Sequence, residues 1–563
     1  MLSLAALCVS AALVAQIKPV EKSTYEEALA KYVAWIERPT LYKRTIARVG
    51  LAETHDLRAL DILMKSYKKA EDPKERFGSL IASIAVAGCF NADTLPIYAR
   101  WRLADRKPTD AWLWYRSLQL NSRAGDLDTV MKAIETSGNV WLKGAAIQAL
   151  APASPFDMGK FSPEKQTALY EGHANATNWL ADPKLLTLFP SLLPAKSVTG
   201  ADREVLVRSC AELFLQLKPH RNKPEFDAAA EALIAQLDGD LPEGSKRVVA
   251  RTLAAAFDKK GTLSLSAADW RRALLMKDWG KKQPKEDPRY APGGHASFGG
   301  LAASGARIVY VVDSSDSMLA KVSNKERLKG SVTGNDEKRD KNEPEIPWDK
   351  IETRFDLARE LMLASIRKLD EKQRFAVILF GDQTQLLATT QSLIVANKKN
   401  YEKVEKELNS IQAGSATNLR PLGTLLGKTN LHGGLDRAFR ITSKGLDAKG
   451  SSVDGDLVED GCDLIFVFSD GDPTWDDYFG KDARDPEDQV GDPESRVPLA
   501  PTPTLEFPGP FIWRPHLLED LRRMNLFRGV EIHCIGTGEV TMDLLEGIAA
   551  AGLGNAKQIA SGG

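Results

Sequence analysis

Two hydrophobic periodicities divide the chain. From about residue 24 to 278 apolar positions recur at helical spacing. Leu60, Leu63, Met64 and Tyr67 fall at i, i+3, i+4 and i+7, as do Phe77, Leu80, Ile81 and Ile84, and Leu127, Val130, Met131 and Ile134. Leu206, Cys210, Leu213, Phe214 and Leu217 extend the pattern over three turns. Start signals accompany it: Asp72-Pro73-Lys74-Glu75 supplies a cap, a first-turn proline and a glutamate, and Ser266 stands three residues before Asp269. Short helices without intervening strand-like alternation predict an all-α, solenoid-like domain of HEAT or TPR kind. No clean repeat of fixed period appears, so a compact irregular helical domain stays open. The tryptophans Trp101, Trp112, Trp114, Trp141 and Trp179 read as wedges between helices.

The period then changes. Residues 279–304 are rich in Pro, Gly and Lys and predict a linker. Beyond it, Arg307–Val312, Arg374–Phe380, Asp463–Phe468 and Val530–Ile535 are near-continuous β-branched and aromatic runs. Helical patterns at Phe355–Leu369, Gly434–Ile441, Leu517–Met524 and Met542–Ala550 alternate with them. Strands apolar on both faces, alternating with helices, predict an α/β domain over 305–563: a doubly wound, mostly parallel sheet covered on both sides.

Composition narrows the function classes. The 563 residues hold 75 Lys+Arg against 76 Asp+Glu, a formal net charge of −1, which argues against a nucleic-acid binder relying on a broad basic surface. Five cysteines, widely spaced, draw neither a disulfide framework nor a CxxC zinc site. No apolar run after residue 20 is long enough to span a membrane. Residues 1–15 have the length and small-residue ending of a signal peptide, although no Lys or Arg precedes the apolar run; export to the periplasm, cell envelope or exterior is the expectation.

The chemistry concentrates at strand ends. In open α/β sheets ligands bind beyond the carboxyl ends of the strands, where the strand order reverses. The first strand runs into Asp313-Ser314-Ser315-Asp316-Ser317, with oxygen side chains at i, i+2 and i+4, and the third closes on Ser469-Asp470-Gly471. Hydroxyls with carboxylates, and no His or Cys in either loop, favour Mg²⁺, with Mn²⁺ or Ca²⁺ as substitutes, and disfavour zinc.

These residues resemble the metal-ion-dependent adhesion site of von Willebrand factor type A (VWA) domains, whose pattern is Asp-x-Ser-x-Ser, then a threonine, then an aspartate before a glycine. Asp313, Ser315 and Ser317 match the first part and Asp470-Gly471 the last. Thr-Asn-Leu occurs at both Thr417 and Thr429; Thr429 runs into a helical pattern as the family motif does and takes the role, with Thr417 as the alternative. The resemblance covers about residues 305–563. It implies that the serines, with Asp313 or Thr429, bind the metal directly, that Asp470 acts largely through water, and that an Asp or Glu carboxylate of a protein partner completes the shell. A non-enzymatic adhesion or scaffold module follows, with no catalytic residues; a metal-dependent hydrolase or enzyme accessory, or a purely structural scaffold, are the alternatives. The layout is also similar to that of exported VWA proteins of planctomycete-type bacteria.

Other motifs carry less. Gly423–Thr429 resembles a phosphate loop but has three residues between its glycines where four are needed. No HExxH or Gly-x-Ser-x-Gly motif occurs. Asp316, Asp472 and His432 read as a solvated rim. Aligning Asp470-Gly471 with Thr537-Gly538 sets Cys462 beside Gly529, too far from Cys534 for a bridge. Two insertions, at 320–350 and 473–513, leave the metal-bearing strands; both are expected to flank the site, the second with Trp475, Tyr478, Phe479, Phe511 and Trp513 as recognition aromatics.

Overall fold

The computed structural model describes residues 24–37, 41–54, 56–69, 109, 111–115, 127–151, 183–195, 197–259, 263–277, 296–299, 301–303, 305–322, 347–415, 425–448, 453–483, 504–538, 540 and 542–559. The segment read as a signal peptide, the 77–84 helical pattern, the Asp72 start signal, Trp101, Trp179, Thr417 and the central parts of both insertions lie outside the described residues. The chain forms two compact units, Met1–Phe90 and Asn91–Gly563.

In the first unit, α1 (Tyr25–Ile36), α2 (Leu41–Glu53) and α3 (Leu57–Lys69) follow one another. Thr24 opens α1 with a reciprocal cap: its hydroxyl accepts from Glu27 N–H, and the Glu27 carboxylate accepts from Thr24 N–H. Leu60, Leu63 and Met64 of the expected stripe are buried.

In the second unit residues 111–115 are helical, and α4 (Leu127–Thr136), α5 (Val140–Ala149), α6 (Pro183–Leu192), α7 (Gly200–Gln216), α8 (Pro224–Ile234), α9 (Glu243–Ala256) and α10 (Ala267–Leu275) follow. A relay of rings from Phe189 through Phe214, Phe226 and Phe257 to Trp270, with centroids 5.0–6.3 Å apart, fills the space between these helices. Ser266 precedes α10 as its sequence position suggests, but it is Ser264 whose hydroxyl donates to Asp269, at 2.6 Å.

The α/β part opens with a short hairpin, β1 (Ala296–Phe298) and β2 (Leu301–Ala303), inside the stretch read as linker. Then come β3 (Arg307–Asp313), α11 (Arg354–Arg367), β4 (Arg374–Phe380), β5 (Thr384–Leu386), β6 (Ile394–Val395), α12 (Lys398–Leu408), α13 (Leu431–Arg440), β7 (Ile441–Thr442), β8 (Gly445–Leu446), α14 (Gly455–Asp460) and β9 (Leu464–Ser469). β10 (Gly480–Ala483) pairs with β11 (Thr504–Phe507) within the second insertion. α15 (Arg514–Asn525), β12 (Glu531–Gly536), α16 (Met542–Ala550) and β13 (Ala556–Gln558) complete the order.

The sheet runs β13-β12-β9-β3-β4-β5, with β6 also on β4. β13, β12, β9, β3 and β4 are parallel; β5 and β6 pair antiparallel with β4. The architecture is therefore a mostly parallel mixed sheet with many helices. The parallel strands Leu464–Ser469 and residues 308–313 of β3 are buried along their length, as continuous apolar runs require. Gly536 lies opposite Ser469, the register that sets Cys462 apart from Cys534; both thiols are free and buried.

α7 and α9 grip the amino ends of the parallel strands. Arg208 of α7 donates to the carbonyls of Val458 and Arg528 at 3.0 and 2.7 Å, and Arg251 of α9 pairs with Glu531 at the start of β12 at 3.0 Å. Trp141 packs edge-on against Phe527, a wedge between helix and α/β layer. Seven residues of β3, about 23 Å at about 3.3 Å each, separate this grip from the carboxyl end of the sheet.

Candidate metal centre

The chain order reverses at β3, which has β4 on one side and β9 on the other, so the crevice between β3 and β9 opens at their carboxyl ends. Asp313 ends β3 and Asp470 follows β9, and the structure brings them together with Ser315 and Ser317. Asp313 is fully buried. Its Oδ1 accepts from Ser315 N–H at 2.9 Å and its Oδ2 from the Ser469 hydroxyl at 2.7 Å. Ser315 Oγ and Ser317 Oγ are 3.0 Å apart, and Ser317 Oγ donates to Asp470 Oδ1 at 2.6 Å. Arg354 Nη1 donates to Asp470 Oδ2 at 2.9 Å.

Thr429 is placed by its main chain. Its N–H donates to Thr474 Oγ1 at 3.0 Å and its carbonyl accepts from Thr474 N–H, also at 3.0 Å. Beside it Asn430 N–H donates to the Gly381 carbonyl after β4, and the Gly427 carbonyl accepts from Asp316 N–H at 3.0 Å. A Cβ at Gly427 would fall on the Asp316 carboxylate and displace it. The 425–430 loop is thus pinned between the loops that follow β3, β4 and β9, and buries Thr429 there.

Burial pushes the Asp313 carboxyl up to about 7; the neighbouring Asp470 adds to the rise, and the Ser315 and Ser469 hydrogen bonds oppose it. Two adjacent carboxylates beside hydroxyls fit a hard divalent cation, which prefers oxygen donors and would offset both charges. Among the described residues no group of three or more His, Cys, Asp or Glu side chains converges to hold a metal.

The second insertion packs onto this edge. Lys428 Nζ sits 3.4 Å from the Trp475 ring centroid, and Asp472 pairs with Arg514. Asp477 accepts from Asn430 and Arg437. His432 is not on a solvated rim: it is buried, stacks on Phe511 with centroids 3.7 Å apart, and its Nε2 lies 2.8 Å from Asp520 Oδ2. Burial opposes ionisation of Asp520, yet Arg523 and His432 outweigh it and hold the carboxyl well below its usual range. Of the insertion aromatics, Trp475 and Phe511 are core residues, while Phe479 and Trp513 are exposed at 54% and 41%. Asp316 is exposed but bound: it accepts from Ser415 N–H at 2.7 Å.

Sequence reasoning did not single out Arg354, Ser469 or Thr474 as members of the site. Ser469 could have been found as the residue before Asp470 on an inward-facing strand end; Arg354 carries no local signal, since it reads as the first residue of an amphipathic helix. No protein-family model matches the chain, and no curated protein matches it significantly. Among the described residues no helix is long and apolar enough to cross a membrane.

Proposed function

We propose that the chain is a non-enzymatic, metal-dependent protein-binding module, with a doubly wound VWA-type domain carried on a helical scaffold. Asp313, Ser315, Ser317, Thr429 and Asp470 would hold Mg²⁺, or Mn²⁺ or Ca²⁺, and the bound cation would supply a Lewis-acidic docking point for an Asp or Glu carboxylate of a partner. The observation that carries this reading is the hydrogen-bonded chain Ser315–Ser317–Asp470 beside buried Asp313, four oxygen-bearing side chains from two strand ends meeting at the sheet's reversal point. Asp313 and the serines fix the pocket, Ser469 orients Asp313, and the insertion aromatics Phe479 and Trp513 supply exposed apolar surface on the same unit. α7 and α9 grip the opposite, amino-terminal ends of the strands. A hydrolase would further need a positioned general base; His432, the histidine nearest in sequence, is occupied by Asp520 and Phe511. The test is capture of envelope proteins on the immobilised chain with Mg²⁺ or with chelator. Partners retained only with Mg²⁺, and lost with Asp313→Ala, support the proposal; identical capture in chelator contradicts it.

A further inference from the structure

Arg354 occupies a position built by three separate elements. It is the first residue of α11, where the Thr353–Asp356 reciprocal cap fixes the helix start. Its N–H donates to the Ala320 carbonyl at 3.0 Å, tying it to the exit of the serine loop, and the stems of the first insertion are joined alongside by Val322 N–H to the Glu352 carbonyl at 2.9 Å. Its guanidinium lies on Gly538, which has φ +66°, and an added Cβ there would sit 2.3 Å from Arg354 Cζ. Only a glycine permits both that backbone conformation and that approach.

The result is a cation in direct contact with a carboxylate of the proposed metal centre. Asp470, whose side chain is 0% exposed, has both oxygens engaged: Oδ1 by the Ser317 hydroxyl and Oδ2 by Arg354 Nη1 at 2.9 Å. Resting on the metal-binding reading above, we infer that Arg354 is a built-in counter-ion that competes with the divalent cation for Asp470, so that cation uptake requires the guanidinium to give way. A guanidinium and a divalent cation drawing on one carboxylate repel each other in a buried setting, where screening is weak. Arg354 therefore sets the affinity of the site: it keeps Asp470 compensated without metal and raises the cation concentration needed to load the pocket. It is a positioning residue for the metal site and touches no partner in this role.

The experiment is calorimetric titration of the full chain with Mg²⁺ alone, for wild type, Arg354→Gln and Arg354→Lys, with thermal melts in chelator and in saturating Mg²⁺. Arg354→Gln should tighten Mg²⁺ binding by about tenfold or more, since it removes a neighbouring positive charge. Its melting midpoint should fall in chelator and recover toward wild type in Mg²⁺. Should the glutamine variant fail to fold, Arg354→Lys carries the test: the shorter, unforked cation holds Asp470 less well, so binding should still tighten, by less than for glutamine. Unchanged affinity in the folded variants overturns the inference. Weaker binding also overturns it, and would make Arg354 a clamp that holds Asp470 ready for metal. If wild type shows no heat but Arg354→Gln binds Mg²⁺, the inference stands in its strongest form. If neither shows heat, the metal reading itself has failed and the inference with it.

Discussion

Arg208 gives the sharpest test of how the helices hold the sheet. It is buried, pairs with Glu204 at 2.8 Å, and donates to the Ser245 hydroxyl at 2.7 Å and to the carbonyls of Val458 and Arg528. Burial drives its guanidinium down to about 10 despite Glu204, with Arg528 and Arg307 adding to the fall. Arg208→Ala would leave Glu204 charged and uncompensated, which costs about 3–5 kcal/mol when one partner of a buried pair is removed. Each carbonyl that loses this donor adds about 1–3 kcal/mol, though the terms overlap within one network. A loss of about 4–6 kcal/mol is therefore expected, a large fraction of a typical net stability of about 5–15 kcal/mol. Equilibrium urea unfolding measures it. Glu204→Gln with Arg208→Met, which removes both charges, should recover at least half of the loss. A single-variant loss below about 1 kcal/mol, against the 3–5 expected for a buried pair, would refute the assigned grip, as would a double variant no better than the single.

Four further outcomes follow from the same structure. Asp476 accepts from Phe511 and Tyr478 N–H groups in a buried setting that raises its carboxyl to about 6 from 3.8. The folded state then holds the proton more tightly than the unfolded one, so wild type should gain up to about 3 kcal/mol over Asp476→Asn as pH falls from 7 through 6 to 4. A flat difference across paired urea titrations at those pH values would contradict the assignment. Phe511→Ala removes a ring 2% exposed and stacked on His432; about 3–5 kcal/mol of local stability should go, seen as faster proteolysis within 473–513. Ser469→Ala leaves Asp313 without its orienting hydroxyl, and Mg²⁺ affinity by calorimetry should drop roughly 10–100-fold. Thr429→Ala should weaken metal-dependent capture while Thr417→Ala leaves it nearly unchanged; the reverse ranking would move the motif earlier in the chain.

The strands were legible because fully buried parallel strands have to be continuous apolar runs, and Asp313, Ser315, Ser317 and Asp470 were legible because they stand at strand ends. The register of β9 and β12 followed from aligning the residues that leave those two strands. What stayed hidden depends on distant partners. α12 is Lys- and Glu-rich and buries few side chains, Val404 and Leu408 among them, so its apolar period is faint. β10 and β11 lie in a segment whose proline-rich sequence masks strand character. His432 reads as exposed until Phe511, some eighty residues on, covers it. Arg354 reaches Asp470 only because Gly538, from the far end of the domain, leaves room for its guanidinium. The helical stretch was legible as helices, but the hold of α5, α7 and α9 on the sheet draws on Gln148, Arg208 and Arg251, charged or polar residues that a hydrophobic pattern passes over. Gln148 Nε2 donates to both Ser209 Oγ and the Leu526 carbonyl.

The central claim is that the pocket at the carboxyl ends of β3 and β9 binds one divalent cation through Asp313. Calorimetric titration of the full chain with Mg²⁺, side by side with Asp313→Ala, tests it most directly. One saturable site in wild type, abolished in the variant while its far-ultraviolet circular dichroism is retained, is the predicted result. Equal heats for the two proteins, or no saturable heat with Mg²⁺, Mn²⁺ or Ca²⁺ in either wild type or Arg354→Gln, would contradict it.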